Sequence, residues 1–352
     1  MEHKTIINKA IGMLLCIIML FSLSADAISL GDINCKTVPS SSTDVPIPNE
    51  DELTVVESGS AKDINSHIQY IFYNDGTLKI YSDDEKYGKM EGKIAAAFPW
   101  EDLGGDVKRV VFDDSITFIC KWVLLWYKNP SIESVYVPDS VDEIPQQFCT
   151  SLTKLTTIRL PETLLTIGST AFQSCSSLVL DHIPSSVTTL GSCAFRSCGK
   201  ITSIDIPSGV SVLPISVFAF TGITEIELSN NIVSIEASAF NGSKLKKITF
   251  GNSVKKIGEW AFNGTKLSED GIYFTGSLTD YLDIEIAEND WGTFDNYLHL
   301  SDDYSVSGFC GNQHNVGYYS YGDGTLYIVG HGEMKDYPYN NEMHLSPLKS
   351  HL

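Results

Sequence analysis

The chain has 352 residues, 43% of them hydrophobic, which suffices to bury a core spread over one to three units. Its formal net charge of −20 disfavours nucleic acid and anionic membrane as partners, since both would repel it.

Taken from the start, Lys4 and Lys9 precede an apolar run from Ile11 to Leu23, and Ala25-Asp26-Ala27 follows with the small-x-small pattern of a cleavage site. This predicts a secretory signal over residues 1–27. The run is too short to span a bilayer, which takes roughly 20 apolar residues, and no later stretch qualifies, so no membrane span is expected in the mature chain. Residues 28–66 are rich in Ser, Thr, Pro and acid and read as a flexible linker. Over residues 67–109 a small β-hairpin module is expected ahead of the rest. In it, Asp75-Gly76 separates two strand-like runs, Tyr70-Ile71-Phe72-Tyr73 and Thr77-Leu78-Lys79-Ile80-Tyr81, the signature of a β-hairpin.

The main signal is a repeat. Prolines stand at 138, 161, 184 and 207, each 23 residues after the last. Each follows an alternating apolar pair such as Ile158-Arg159-Leu160, and a second segment then recurs as Ile167-Gly168-x-x-Ala171-Phe172 and Leu190-Gly191-x-x-Ala194-Phe195. Period-two alternation predicts a short strand with one face buried, and proline, lacking an N–H, ends it at the same place in each coil. A unit of 22–24 residues with one such strand cannot close its own core, so coils must stack. A solenoid is therefore expected over residues 110–274, with Phe172, Phe195, Phe218, Phe240 and Phe262 in one aromatic column. Cys175 and Cys198 share a coil position with Thr221, Ser243 and Thr265, which marks them as small buried residues, whereas the pattern gives Cys193 no role.

Three coils depart from the pattern, with Pro145, Pro214 and Glu236 in place of the glycine. One extra residue between Leu178 and Ile183 predicts a bulge near Asp181. Residues 275–305 read as a capping segment. Beyond them, residues 306–352 repeat the text of the first hairpin module, Tyr318-Tyr319 matching Tyr70-Ile71 and Asp323-Gly324-Thr325-Leu326 matching Asp75-Gly76-Thr77-Leu78, as a second, truncated copy.

No chemistry of the catalytic kind is legible. No zinc, phosphate-binding or nucleophile-elbow motif occurs, so no catalytic residue, cofactor or metal is expected. Cys310 and His314 are close in sequence, which is not the spatial pairing nucleophilic catalysis needs. Glu225 and Glu227, two apart on one strand, read as solvated acids, with Lys247 and Thr249 beside them on the next coil. Asn241 and Asn263 head N-x-Ser/Thr glycosylation acceptors and are expected to be exposed, away from the strand face.

The segment Ile183-Pro184-Ser185-Ser186-Val187-Thr188-Thr189-Leu190-Gly191-Ser192-Cys193-Ala194-Phe195-Arg196-Ser197-Cys198 resembles the BspA-like leucine-rich-repeat surface antigens. That resemblance implies an α/β horseshoe-like repeat solenoid with one short parallel strand per coil, flanked here by small antiparallel β-hairpin modules. It also implies a secreted or surface protein that binds host matrix proteins or other cells. Outward strand positions form two rows: Tyr136, Arg159, His182, Asp205, Glu227, Thr249 and Tyr273, and beside them Ser134, Thr157, Leu180, Ser203, Glu225 and Lys247. Of these, Tyr136, Arg159, Asp205, Glu225, Glu227, Lys247, Thr249 and Tyr273 are the candidate protein-binding residues, for an extracellular or surface protein as partner. The alternative is a structural spacer or self-assembling coat with no specific external ligand.

Overall fold

The computed structural model describes residues 45, 47–61, 64–90, 98–124, 131–267, 271–277, 280–281 and 283–287, and, as backbone alone, 298–300, 306–309, 316–320 and 326–330. All belong to one compact unit, Ser40–Leu352; a second unit, Met1–Pro39, lies outside the described residues, as do the expected signal and the tail after residue 330.

Strand β1 (Val55–Ser60) pairs antiparallel with β2 (Ile68–Tyr73), which turns at Asp75-Gly76 into β3 (Thr77–Ser82). The predicted hairpin is present, with Tyr70 opposite Ile80 and Phe72 opposite Leu78. Residues 55–60, however, lie within the segment expected to be a flexible linker. Their strand forms because Gly59, opposite Tyr70, leaves room for the ring: a Cβ there would sit 2.8 Å from it. The Tyr70 hydroxyl then donates to Glu57 at 2.8 Å, and the polar residues that suggested a linker line an edge strand.

This three-stranded module is continuous with the coils. β3 pairs in parallel with β4 (Arg109–Phe112), so Leu78 and Ile80 lie beside Val110 and Phe112, and Trp100 is fully buried against Tyr70 and Phe98. The coils then supply β5 (Ser134–Tyr136), β6 (Glu143–Ile144), β7 (Thr157–Arg159), β8 (Thr166–Ile167), β9 (Thr189–Leu190) and β10 (Val212–Leu213). Four more follow up to the last full repeat: β11 (Glu225–Glu227), β12 (Ser234–Ile235), β13 (Lys247–Phe250) and β14 (Lys256–Ile257), and then β15 (Ile272–Phe274). Two parallel ribbons result. One runs β3-β4-β5-β7 and, further on, β11-β13-β15; the other holds two-residue strands, β6-β8-β9 and β10-β12-β14.

Each coil therefore has two strand sides, and among the described residues no α-helix lies in residues 109–267. The return side is a run of turns. Its backbone is satisfied by a third ladder, in which Phe172 N donates to Ala194 O at 2.8 Å, Phe195 N to Val217 O at 3.1 Å and Phe218 N to Ala239 O at 2.9 Å. Two residues per coil take the left-handed conformation there, for example Thr170 and Ser174, then Cys193 and Ser197. Cys193, which the pattern left without a role, is thus a turn residue at φ 59°. Inside, Phe172, Phe195, Phe218, Phe240 and Phe262 stack with successive ring centroids 5.5, 5.8, 5.7 and 5.7 Å apart, the expected aromatic column.

Two local expectations change. Leu180, placed on the outward row, is buried: the extra residue after Leu178 is taken up by turning Leu180 into the core while Asp181 and His182 face out. No regular strand forms there, only a bridge between His182 and Asp205. The segment after residue 274, expected as a cap, adds β16 (Glu285–Ile286) to one ribbon and β17 (Leu298–Leu300) to the other, so both ladders run on into it.

Last, β18 (Val306–Phe309), β19 (Val316–Ser320) and β20 (Leu326–Gly330) form an antiparallel sheet in the order β18-β19-β20. Tyr318 lies opposite Ile328 and Gly308 opposite Tyr318, as Tyr70 lies opposite Ile80 and Gly59 opposite Tyr70. The repeated text thus folds with the same register as β1-β2-β3.

Candidate interaction face

The inward residues of the first ribbon are fixed by burial, so the residues between them must point out. Register places Tyr136 beside Arg159, Glu225 beside Lys247, Glu227 beside Thr249, and Thr249 beside Tyr273. Asp205 is reached only through the His182 bridge. The predicted row is therefore assembled as two groups, separated by the irregular coils around Leu180. Asp205, Glu225, Glu227 and Lys247 are exposed, whereas Tyr136, Arg159, Thr249 and Tyr273 are half-buried.

At one end the Arg159 guanidinium lies 5.0 Å from the Tyr136 ring centroid. It is held there by Asp139, at 2.6 Å from Nη2, and by the Val137 carbonyl, at 2.6 Å from Nη1. At the other end the Lys247 ammonium stands 4.5 Å from the Tyr273 ring centroid. Such cation–aromatic contacts contribute about 0.5–1 kcal/mol at exposed sites. Their larger effect is to restrain long side chains, which lowers the entropy lost when a partner covers them. Lys247 is next to Glu225, as the sequence suggested, but no ion pair joins them among the described residues.

Between the two pairs the face is acidic: Asp181, paired with His182 at 2.7 Å, then Asp205, Glu225 and Glu227. Register also extends the row past its predicted start, through Val111 to Lys79 of β3, which ion-pairs with Glu50 at 2.7 Å and Asp113 at 3.2 Å. Asp113 is held below the usual carboxylate range by its hydrogen bonds to Ser115 and by Lys79, which outweigh its partial burial. Sequence reasoning missed Lys79 because it sits in a hairpin rather than a repeat.

Asn241 and Asn263 lie on the turn side, away from the strand face; Asn263 is exposed, whereas Asn241 is half-buried, and the carbonyl of each accepts from the coil before, that of Asn263 from Gly242 N and that of Asn241 from Phe220 N. Among the described residues no group of three or more His, Cys, Asp or Glu is placed to hold a metal ion, and no helix is long and apolar enough to cross a membrane. Cys310 and His314 lie outside the described residues.

Parallel ribbons, a phenylalanine column and 22–23-residue coils define a solenoid of the leucine-rich-repeat class. The BspA type leucine rich repeat region matches in six copies, over residues 105–178 and 142–268, and the repeats of this chain belong to that family. Among solved structures, a leucine-rich repeat protein from Bacteroides ovatus is 21% identical over 66% of this chain, with a TM-score of 0.44, and this chain spans 65% of its length. A leucine rich cell surface protein from Faecalibacterium prausnitzii is 17% identical, covering 63% of this chain and 96% of its own, with a TM-score of 0.30. The T. pallidum leucine rich repeat protein is 20% identical, covering 60% and 85%, with a TM-score of 0.31. Comparison with curated proteins finds no match.

Proposed function

We propose that this protein is a secreted or surface-displayed adhesion and recognition module, without catalytic activity, that binds an extracellular or cell-surface protein on the first ribbon's outward face. The observation that carries this reading is the pair of restrained cation–aromatic contacts, Tyr136–Arg159 and Lys247–Tyr273, flanking an acidic strip on one face. Aromatic and arginine side chains dominate interface energetics, and pre-ordered ones do so at least entropic cost. The basic residues, apolar run and small-residue site at the N-terminus support export. Repeat solenoids generally act as protein-interaction modules, which supports the face as the working surface.

The test is binding of the purified secreted protein to a panel of extracellular-matrix proteins and whole cells, beside a variant carrying Arg159→Glu and Tyr273→Ala. Saturable binding that the variant loses by at least about tenfold, the weight of one good anchor, while it keeps its circular dichroism spectrum, is the expected result. Concentration-dependent self-assembly with no binding to any panel member would instead support the coat or spacer reading.

A further inference from the structure

The sequence contains two Asn-Gly pairs, Asn241-Gly242 and Asn263-Gly264, at equivalent places in consecutive coils. Such pairs are chemically labile, because glycine leaves its own nitrogen unhindered to attack the preceding side-chain amide. Both glycines adopt the same backbone shape, φ 65° and 68°, so conformation does not distinguish them. Hydrogen bonding and packing do.

Gly242 N donates to the Asn263 carbonyl of the next coil at 2.7 Å, and a Cβ on Gly242 would lie 2.5 Å from the Phe220 ring, which covers it. Asn241 is half-buried. In the following coil both Asn263 and Gly264 are exposed, and Gly264 N has no acceptor among the described residues. The nearest atoms to a Cβ on Gly264 are in the Gly242 backbone, 3.6 Å away.

We infer that Asn263 is a site of spontaneous deamidation and isoaspartate formation, and that Asn241 is protected from the same reaction by the coil stacked on it. The Gly264 nitrogen forms a bond to Cγ of Asn263 as the Cγ–Nδ2 bond breaks, and ammonia leaves with the proton from the Gly264 nitrogen. Water then adds to one carbonyl of the resulting succinimide and opens it to aspartate or isoaspartate. No oxidant or reductant is involved. Each event adds one negative charge to this exposed turn, and the isoaspartate branch adds a methylene to the main chain next to the left-handed Gly264. A glycan on Nδ2 of Asn263 would block the reaction, so the two modifications exclude each other at this atom.

The full chain, made in a bacterial cytoplasm so that no glycan is attached or removed, is held in mildly alkaline buffer at body temperature. Conversion at each asparagine is followed by peptide mass and by isoaspartate-specific labelling, Asn263 being carried on the tryptic peptide 257–266. In the folded protein Asn263 converts about tenfold faster than Asn241, the factor expected when one amide must first give up a hydrogen bond. In denaturant the two rates converge, since the local sequences are Asn-Gly-Ser and Asn-Gly-Thr. Equal rates in the folded protein would overturn the inference. So would a bias that survives unfolding, because stacking would then not be its cause.

Discussion

After the core phenylalanine, successive coils place Cys175, Cys198, Thr221, Ser243 and Thr265, and at all of these except Ser243 the side-chain donor reaches a carbonyl inside the solenoid. Cys175 Sγ donates to Cys149 O at 2.9 Å and Cys198 Sγ to Phe172 O at 3.0 Å, both across a coil boundary, whereas Thr221 and Thr265 donate to the carbonyls of Phe218 and Phe262 at 2.8 and 2.7 Å. The sequence marked these positions as small and buried, and all but the half-buried Thr265 are; it could not show that the thiols bond to the previous coil. Burial pushes the Cys149 and Cys175 thiols well above their ordinary value, Cys198 up to about 12 and the partly buried Cys120 up to about 11. A thiol whose pKa is raised on folding stabilises the fold fully below its unfolded pKa, about 8.5, and that stability is lost as pH rises towards the folded value. Stability to urea should therefore fall between about pH 9 and 11, by up to about 1.4 kcal/mol per pH unit for each such thiol. Replacing Cys198 with Thr, the residue type at 221, should remove one thiol's share of the slope. A wild-type and variant pair with the same pH dependence would refute this account, and rapid labelling of Cys149, Cys175 or Cys198 in the native protein would do the same.

Within a coil, the turn after the second strand decides how closely its neighbour can approach. A Cβ on Gly191 would lie 2.2 Å from Ser169 N, and one on Gly168 2.6 Å from Gln146 N, so the recurring glycine is a packing requirement between backbones. Gly199, by contrast, has nothing within 4 Å of such an atom. Gly191→Ala should cost about 1–3 kcal/mol, the usual penalty for forcing atoms into a packed interior. Gly199→Ala should be neutral or stabilise by up to about 1 kcal/mol through the unfolded chain. Chemical denaturation of both variants checks this, and a similar loss in both would mean that coil spacing is not what the glycine protects. The elements carried by period were legible in the sequence: the first-ribbon strands, the phenylalanine column and the Asp75-Gly76 hairpin. β1 was not, because an edge strand need not alternate and its stability rests on the Gly59–Tyr70 pairing across a turn. The strands of the second ribbon were not either, being two residues long with no alternation to read. The cation–aromatic pairs escaped because their partners are 23 and 26 residues apart and meet only once the coils are in register.

Over the whole stack, the second ribbon breaks at the level where the first is reduced to a single bridge. The second ribbon has separate sheets ending at β9 and beginning at β10, and near the same place the first has only the His182–Asp205 bridge between β7 and β11. Pro214 explains the break in the second ribbon. In other coils the residue at this place donates to the coil before: Gly168 N to Ile144 O, Gly191 N to Ile167 O and Gly258 N to Ile235 O, at 2.8, 2.7 and 2.8 Å. Even Glu236, the other departure from glycine, donates to Leu213 O at 2.8 Å, while proline has no N–H to give. Pro145 stands likewise in the coil of β6, where that sheet begins. The sequence showed these prolines as exceptions but gave no way to see that they divide a ribbon. What still crosses the break, besides the His182–Asp205 bridge, is the third ladder, with Cys193 N donating to Ile215 O at 2.8 Å, and the Phe195–Phe218 stack at 5.8 Å. In a stack stabilised by nearest-neighbour contacts, the interface with fewest bonds opens first. Native-state hydrogen exchange should therefore show lower protection for residues 205–215 than for residues 228–238. Pro214→Glu, which restores the donor as Glu236 does, should raise that protection with little change in global stability. The regained hydrogen bond contributes about 0.5–1.5 kcal/mol, and loss of the proline's restriction on the unfolded chain offsets about 0.4–1 kcal/mol of it. Equal protection of the two segments in the unmodified protein would show that the third ladder, the aromatic column and the His182–Asp205 bridge hold the coils together at this level without the second ribbon.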